Sequence, residues 1–325
     1  MRLIIQVLAV AVCLACDGSS PALAQIYPAK PLRMVVPFPP GGAADIIGRI
    51  LAQRLSEHMG QQFIVDNRAG ASGNIGAEAV AKAQADGYTI LMGALTSHAI
   101  NSILERRTVR YNLERDLSPI AIVATVPYVL VIHPSVPARS MHEFTAYAKA
   151  KPGHVTYGSS GAGAPQRLAA EMFQLRTRID MVHVPYKGSG QVITDLIGGQ
   201  VLAAFESLPA ALPHIRGAKL RPLAVTTAQR LPMLSEVPTM EEAGLPNFEV
   251  SSTFGILAPA GTPKAIIDRL NGEIAKVVQL PDVKERFLQL GAFAMSTTPE
   301  EAARRIRSEI AMWAKVIDEA NIKPD

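Results

Sequence analysis

The sequence predicts an α/β protein built as two lobes. Three observations carry this expectation. Short apolar runs alternate with amphipathic ones, two strand-to-helix junctions are rich in glycine and small residues, and the last third is punctuated by helix caps. Met34 to Pro37 reads as a buried strand, stopped by Pro39, Pro40, Gly41 and Gly42. Ala43 to Leu55 follows with Ile47, Ile50, Leu51 and Leu55 at helical spacing. Paired glycines let a ligand approach the backbone, and the first N–H groups of the helix point into that space. The turn contains no Lys or Arg, so a carboxylate held by peptide N–H groups is the first expectation.

The remaining elements follow in order. Phe63-Ile64-Val65 is a strand, and Asn74 is expected to cap a helix over Ile75 to Ala83. Tyr88 to Met92 precedes a short helix near Ser97. Ile120 to Thr125 and Tyr128 to Ile132 read as two strands separated by Val126-Pro127. Ser140 with Glu143 forms a capping box for a helix ending near Ala150. Val155 to Tyr157, Met181 to Val184, Leu202 to Phe205 and Leu220 to Thr226 are later strands. Thr262-Pro263 reads as an N-cap followed by an N1 proline, opening a helix with Ile267, Leu270, Ile274 and Val277 on one face. Thr239 with Glu242 and Thr298 with Glu301 are further capping boxes. The last helix spaces Ile306, Ile310, Trp313 and Ile317 by four, three and four, which makes Trp313 a core residue.

The first residues read as a secretory signal rather than part of the fold. Arg2 is a minimal basic start, Leu3 to Cys16 is almost wholly apolar, and Ala22-Leu23-Ala24 is a small-x-small cleavage site. The apolar run falls short of the roughly 20 residues that span a bilayer. Cleavage after Ala24 would export the mature protein and remove both cysteines, leaving a large core as the source of stability. Lipidation of Cys16 is the alternative. The formal charge is +4, but only 18% of residues are charged and aromatics are few, which argues against nucleic acid. A mild positive field suits anionic solutes.

A second junction resembles the first. Val155 to Tyr157 runs into Gly158-Ser159-Ser160-Gly161-Ala162-Gly163-Ala164, and Pro165 opens a helix. It is either a second hydrogen-bonding cradle or an ordinary turn, and two such turns together suggest two lobes gripping one solute. Asp45, in the first turn of its helix, takes a structural role. Enzymatic motifs fail on inspection. Gly158 to Ala162 lacks the last glycine of a nucleophile elbow, no dinucleotide or Walker pattern occurs, and the histidines show no metal-ligand spacing. His183, flanked by Val182 and Val184 in its strand, is the histidine of most interest.

An ordered set of motifs carries a resemblance. It comprises Tyr27-Pro28-Ala29-Lys30-Pro31, Val35 to Gly42 with Asp45, Asp66-Asn67-Arg68 and Gly73-Asn74-Ile75-Gly76. Asp86-Gly87-Tyr88-Thr89, His183 to Gly188, Val237-Pro238-Thr239, Glu242-Ala243-Gly244 and Ala258 to Pro263 continue it. The chain resembles the Bug family, the TctC-like extracytoplasmic solute receptors of tripartite tricarboxylate transporters. The resemblance implies a type II periplasmic-binding-protein fold, two α/β lobes joined by crossing hinge strands. Lobe one would be Gln25–Thr125 plus Thr227–Asp325, and lobe two Val126–Thr226. Two departures stand out: Gln166-Arg167 where the family often has Gln-His, and Glu206 where it commonly has Asp.

The resemblance implies a periplasmic receptor that captures a small organic carboxylate and delivers it to membrane transporter subunits. It would act as a monomer, without cofactor or metal and without catalysis. Phe38, Pro40, Gly41 and Gly42, with Ala71 and Ser97, would hold one carboxylate. Ser159, Gly161, Gly163 and Ala164 would hold the distal group, with Tyr186, Glu206 and Phe254 shaping the cavity. Di- and tricarboxylates, aromatic acids and amino acids all fit two neutral cradles. The alternatives are a secreted hydrolase using Ser159 or Ser160, and a co-receptor for a sensor kinase.

Overall fold

Strand periodicity organises the whole molecule. The computed structural model describes residues 27–319 and 322–323, so the signal-peptide expectation and Cys16 lie outside the described residues. In β1 (Leu32–Val36), Leu32, Met34 and Val36 enter one hydrophobic cluster and Val35 another, one on each face of the sheet. β1 pairs in parallel with β2 (Phe63–Asn67) and β3 (Thr89–Ala94). β9 (Ser251–Pro259) lies antiparallel between β3 and β4 (Leu117–Ile132). The helices α1 (Ala43–Met59), α8 (Lys264–Gln279) and α9 (Pro281–Gln289) cover one face, and α2 (Asn74–Ala81) lies on the other. The short β10 (Phe293–Ala294) pairs with β4.

The second lobe repeats the arrangement. The C-terminal half of β4 pairs with β7 (Ala203–Ser207) and β8 (Arg221–Val225). β5 (Val155–Ser159) lies parallel to β6 (Met181–Pro185) and β7. Along β4, Tyr128, Leu130 and Ile132 face the cluster under α4 (Met141–Ala150) and α5 (Pro165–Thr177). Val129 and Val131 face the opposite cluster, under α6 (Ser189–Ile197) and α7 (Leu208–Arg216). Layers of helix on both faces of a sheet, twice over, meet the α/β expectation.

Several local expectations need correction. The two strands around Val126-Pro127 are one 16-residue strand, β4. Pro127 falls where β4 leaves β9 for β7 and β8, so its missing N–H is tolerated. Gly73, with φ 92°, is the N-cap of α2, because the Asn74 side chain is used elsewhere: its Oδ1 accepts from Tyr111 and from Asn101, both at 3.3 Å. Pro263 itself caps α8, and the Thr262 hydroxyl donates to the Pro259 carbonyl at 2.8 Å. The "short" helix near Ser97 is α3 (Leu95–Leu104), three turns long. The sequence places the return to lobe one at Thr227. Leu231, Leu234, Val237, Met240, Phe248 and Val250 all pack in the clusters of the second lobe.

The last helix, α10 (Pro299–Glu319), ties the halves together. Ala302 and Ile306 pack with β1, β3 and α2, whereas Trp313 and Ile317 join the cluster of Tyr157, Leu168 and Phe173. Trp313 is 4% exposed at that seam. Trp313→Ala should lower unfolding stability in urea by about 3–5 kcal/mol, the range for truncating a buried aromatic side chain. A loss below about 1 kcal/mol would show that the seam does not depend on it.

Candidate functional site

The turn between β1 and α1 is fixed by side chains behind it. Asp45 Oδ2 accepts from the Gly41 N–H at 3.1 Å, and Oδ1 accepts from Arg49 at 2.9 Å and Asn67 at 3.0 Å. Asn67 also donates to the Phe38 carbonyl at 2.9 Å, so strand β2 pins the loop that follows β1. Burial pushes the Asp45 carboxyl up, but hydrogen bonds from Arg49, Asn67 and Gly41 outweigh it and hold the pKa below the ordinary value. Its charge is spent on the turn, which leaves the N–H groups of Ala43 and Ala44 for whatever lies in front of them.

In front of them is a cavity between the lobes. Phe38, Gly42, Ala43, Ala44, Ser97 and Phe254 wall it on the side of lobe one. Tyr128, Ser160, Gln166, Ser189 and Ser207 wall it from lobe two, and Ser252 comes from β9. The N-termini of α1, α3, α5, α6 and α7 all open onto it. Each brings unsatisfied N–H groups and a partial positive charge. No ionisable side chain other than the Tyr128 phenol lines it. The hydroxyls are oriented by relay: Ser160 donates to Gln166 Oε1 at 3.1 Å, and Gln166 Nε2 donates to Ser189 at 3.2 Å. Tyr128 and Ser252 share a short hydrogen bond at the crossing strands.

Glu206 stands directly behind this wall. It is fully buried, and Oε2 accepts from the Ser207 N–H at 3.0 Å. Burial pushes its carboxyl up to about 8, against hydrogen bonding from Ser189, the Ser207 N–H, Gln166 and the Ser207 hydroxyl. At neutral pH it is therefore mostly a protonated acid, a hydrogen-bond donor rather than a negative charge.

The structure divides the expected residues. Phe38, Gly42, Ser97 and Phe254 line the cavity. Pro40 and Gly41 instead meet the Gly188-Ser189-Gly190 turn of lobe two; a Cβ on Gly190 would lie 2.7 Å from the Pro40 carbonyl. Gly161 packs against Ser72 and Gly163 against Asn101, so a side chain at either position would collide with the facing lobe. Ala164 is buried as the N-cap of α5. Ala71 is exposed with φ 47°, and its neighbour Ser72 makes the interlobe contact. Tyr186 turns its hydroxyl to Asp195 at 2.7 Å.

Ser159 requires a correction. It is fully buried, its Oγ lies 2.7 Å from His183 Nε2 and donates to the Gly161 carbonyl, and Ser160 faces the cavity in its place. A serine beside an imidazole has the spacing of a nucleophile and base, but this one lies away from the cavity. Arg167 also points elsewhere, to the carbonyls of Ala162 and Lys323. Gln166, Ser189, Ser207, Tyr128 and Ser252 were not expected as lining residues. For Ser189 and Ser207 a signal existed, since each stands at the start of a helix after a strand.

A larger cavity of about 550 Å³ lies between α10 and residues 226–228 and 249–251, lined by Glu249, Arg305 and Glu309 among others. Two acids make it the poorer place for an anion. Among the described residues no group of His, Cys, Asp and Glu is arranged to hold a metal, and no helix is long and apolar enough to cross a membrane.

Residues 47–322 match the family described as tripartite tricarboxylate transporter family receptor. The chain is 41% identical over 305 residues to the protein BugT of Bordetella pertussis, covering 94% of each chain. Among solved structures it is similar to Rpa4515 of R. palustris with adipate, at 40% identity and a TM-score of 0.89, covering 92% of this chain and 100% of that one. MatC from Rhodopseudomonas palustris with bound malate is 28% identical, with a TM-score of 0.85, covering 90% and 100%.

The buried acid makes stability depend on pH. Burial raises the folded pKa of Glu206 from its ordinary value of 4.5 to about 8, so its contribution is complete below pH 4.5 and is lost as pH rises through 8. Glu206→Gln should flatten this fall in thermal-melting temperature between pH 5 and 9. An equally steep fall in the variant would place the titrating group elsewhere.

Proposed function

The chain belongs to the Bug, or TctC-like, family of tripartite tricarboxylate transporter receptors, and we propose from that premise that it captures a small organic carboxylate between its lobes and passes it to membrane transporter subunits. The observation that carries this reading is the convergence of five helix N-termini on one cavity without a lining Lys, Arg, Asp or Glu. Such a cavity binds an anion through backbone N–H groups and hydroxyls. In lobe one the donors are the first N–H groups of α1 and the Ser97 hydroxyl. In lobe two Ser160, Ser189 and Ser207 receive the distal end, with the protonated Glu206 behind them. Phe38 and Phe254 form the apolar side that a hydrocarbon chain would touch.

Dicarboxylates match the pattern of donors and apolar rings, and the space between the lobes, about 30 Å³ as it stands, must widen to admit one. Adipate and malate, found with two related proteins, both carry an anionic group at each end. A cavity with donors at two walls and apolar rings between them has the same pattern. The lobes enclose the ligand, so binding requires them to hinge open first. The reading places the mature protein in the periplasm as a monomer with no catalytic step.

A thermal-shift panel tests the reading. Adipate, malate and succinate, against neutral adipamide as control, should include at least one carboxylate that raises the melting temperature. At a hundred times Kd the stabilisation is about 2.7 kcal/mol. Adipamide should leave it unchanged, and a shift with adipamide but with no carboxylate overturns the anion argument. Affinity should fall above pH 8, where Glu206 ionises and repels the anion, and Glu206→Gln should remove that fall.

A further inference from the structure

A second feature is assembled where the lobes meet, away from the solute cavity. A groove of about 490 Å³ is lined by α1 and α9 of the first lobe and by α7 of the second. Its walls carry Arg49, Arg286 and Arg216, all exposed. Asp45 is the single acid among the lining residues, and Arg49 already pairs with it at 2.9 Å. Arg216 and Arg286 form no ion pair among the described residues. Between the guanidinium groups lies an apolar floor that includes Ile50, Pro209, Pro213 and Leu290.

We propose that this groove is a docking surface for an acidic segment of the protein that receives the solute, and that closure of the lobes completes it. Two unpaired guanidinium groups on opposite lobes share one groove only while the lobes are closed. Their planar forks suit carboxylates in pairs, and the apolar floor suits an aliphatic side chain between them. The concave shape admits a protruding chain segment and holds a flat lipid surface away. A partner that binds both lobes at once favours the closed form, and by reciprocity the closed form favours the partner. Solute occupancy would then be read at a distance from the solute. The proposal rests on the receptor reading only in the identity of the partner; the surface itself depends on closure alone.

The test separates closure from solute. An ideal Cβ on Gly42 lies 3.7 Å from the Ser189 Cβ, within disulfide range, so Gly42→Cys with Ser189→Cys locks the lobes without ligand. The oxidised and reduced forms of residues 25–325, which hold no other cysteine, are titrated with a fluorescein-labelled peptide of alternating Glu and Leu, and anisotropy is read. The oxidised form should bind about tenfold tighter than the reduced form. Adding Arg216→Glu and Arg286→Glu should cost the oxidised form about tenfold in affinity. Arg304→Glu with Arg307→Glu, the same charge change on an exposed face of α10, should not. Absent peptide binding, equal loss in both charge reversals, or indifference to oxidation overturns the proposal. So does binding of phosphatidylglycerol vesicles that depends on Arg216 and Arg286 while the peptide fails. The Arg216/Arg286 variant alone should keep any carboxylate-induced melting shift. If no form shows that shift, the receptor reading falls while the peptide result stands on its own.

Discussion

The continuity of β4 is the constraint on which the rest of the molecule depends. One 16-residue strand pairs with β9 in the first lobe and with β7 and β8 in the second. Both cradles are therefore referenced to the same backbone. Tyr128 and Ser252, at the changeover, line the cavity themselves. Its register shifts near Pro119 and Ile122 against β9 and near Leu130 against β8. The second connection, through β8 and the residues up to Val250, is tied to the first: the Thr226 hydroxyl donates to the Tyr128 and Val250 carbonyls.

Given that frame, the chemistry of the cavity follows from helix polarity. The sheets deliver strand ends to the cleft, and each following helix starts there, so N-termini accumulate at one place. Full cationic side chains are then unnecessary, and the acids present are handled separately. Asp45 is consumed by its turn, whereas Glu206 is kept neutral by burial. A weakly positive, neutral-walled cavity attracts an anion without the desolvation penalty of a buried Arg.

Local signals in the sequence were legible where local physics decides. The hydroxyls of Ser140, Thr239 and Thr298 each accept from the N–H three residues on, as expected from residues that close; the reciprocal bond to the cap N–H forms at Thr239, which opens a turn rather than a helix. Gly42, at the end of the first turn, reaches the cavity for the same reason. What the sequence could not show is which of two adjacent hydroxyls faces inward. Ser159 is turned away by His183, which is 24 positions distant, and Ser160 is held by Gln166. Arg167 is drawn to Lys323, near the far end of the chain. Ser252 enters through the pairing of β9 with β4, which no spacing near Ser252 reveals.

The contacts between the facing turns have a thermodynamic consequence. Gly41 and Pro40 meet Gly188 to Gly190, and Gly161 and Gly163 meet Ser72 and Asn101. At these points one lobe presents bare backbone, so closing freezes few rotamers. Long side chains at such a seam would each lose about 0.5–1.5 kcal/mol of conformational freedom on contact. With that loss largely absent, the closed state needs little adhesion between the lobes to form. Weak adhesion in turn leaves the closed state easy to leave as well as to reach.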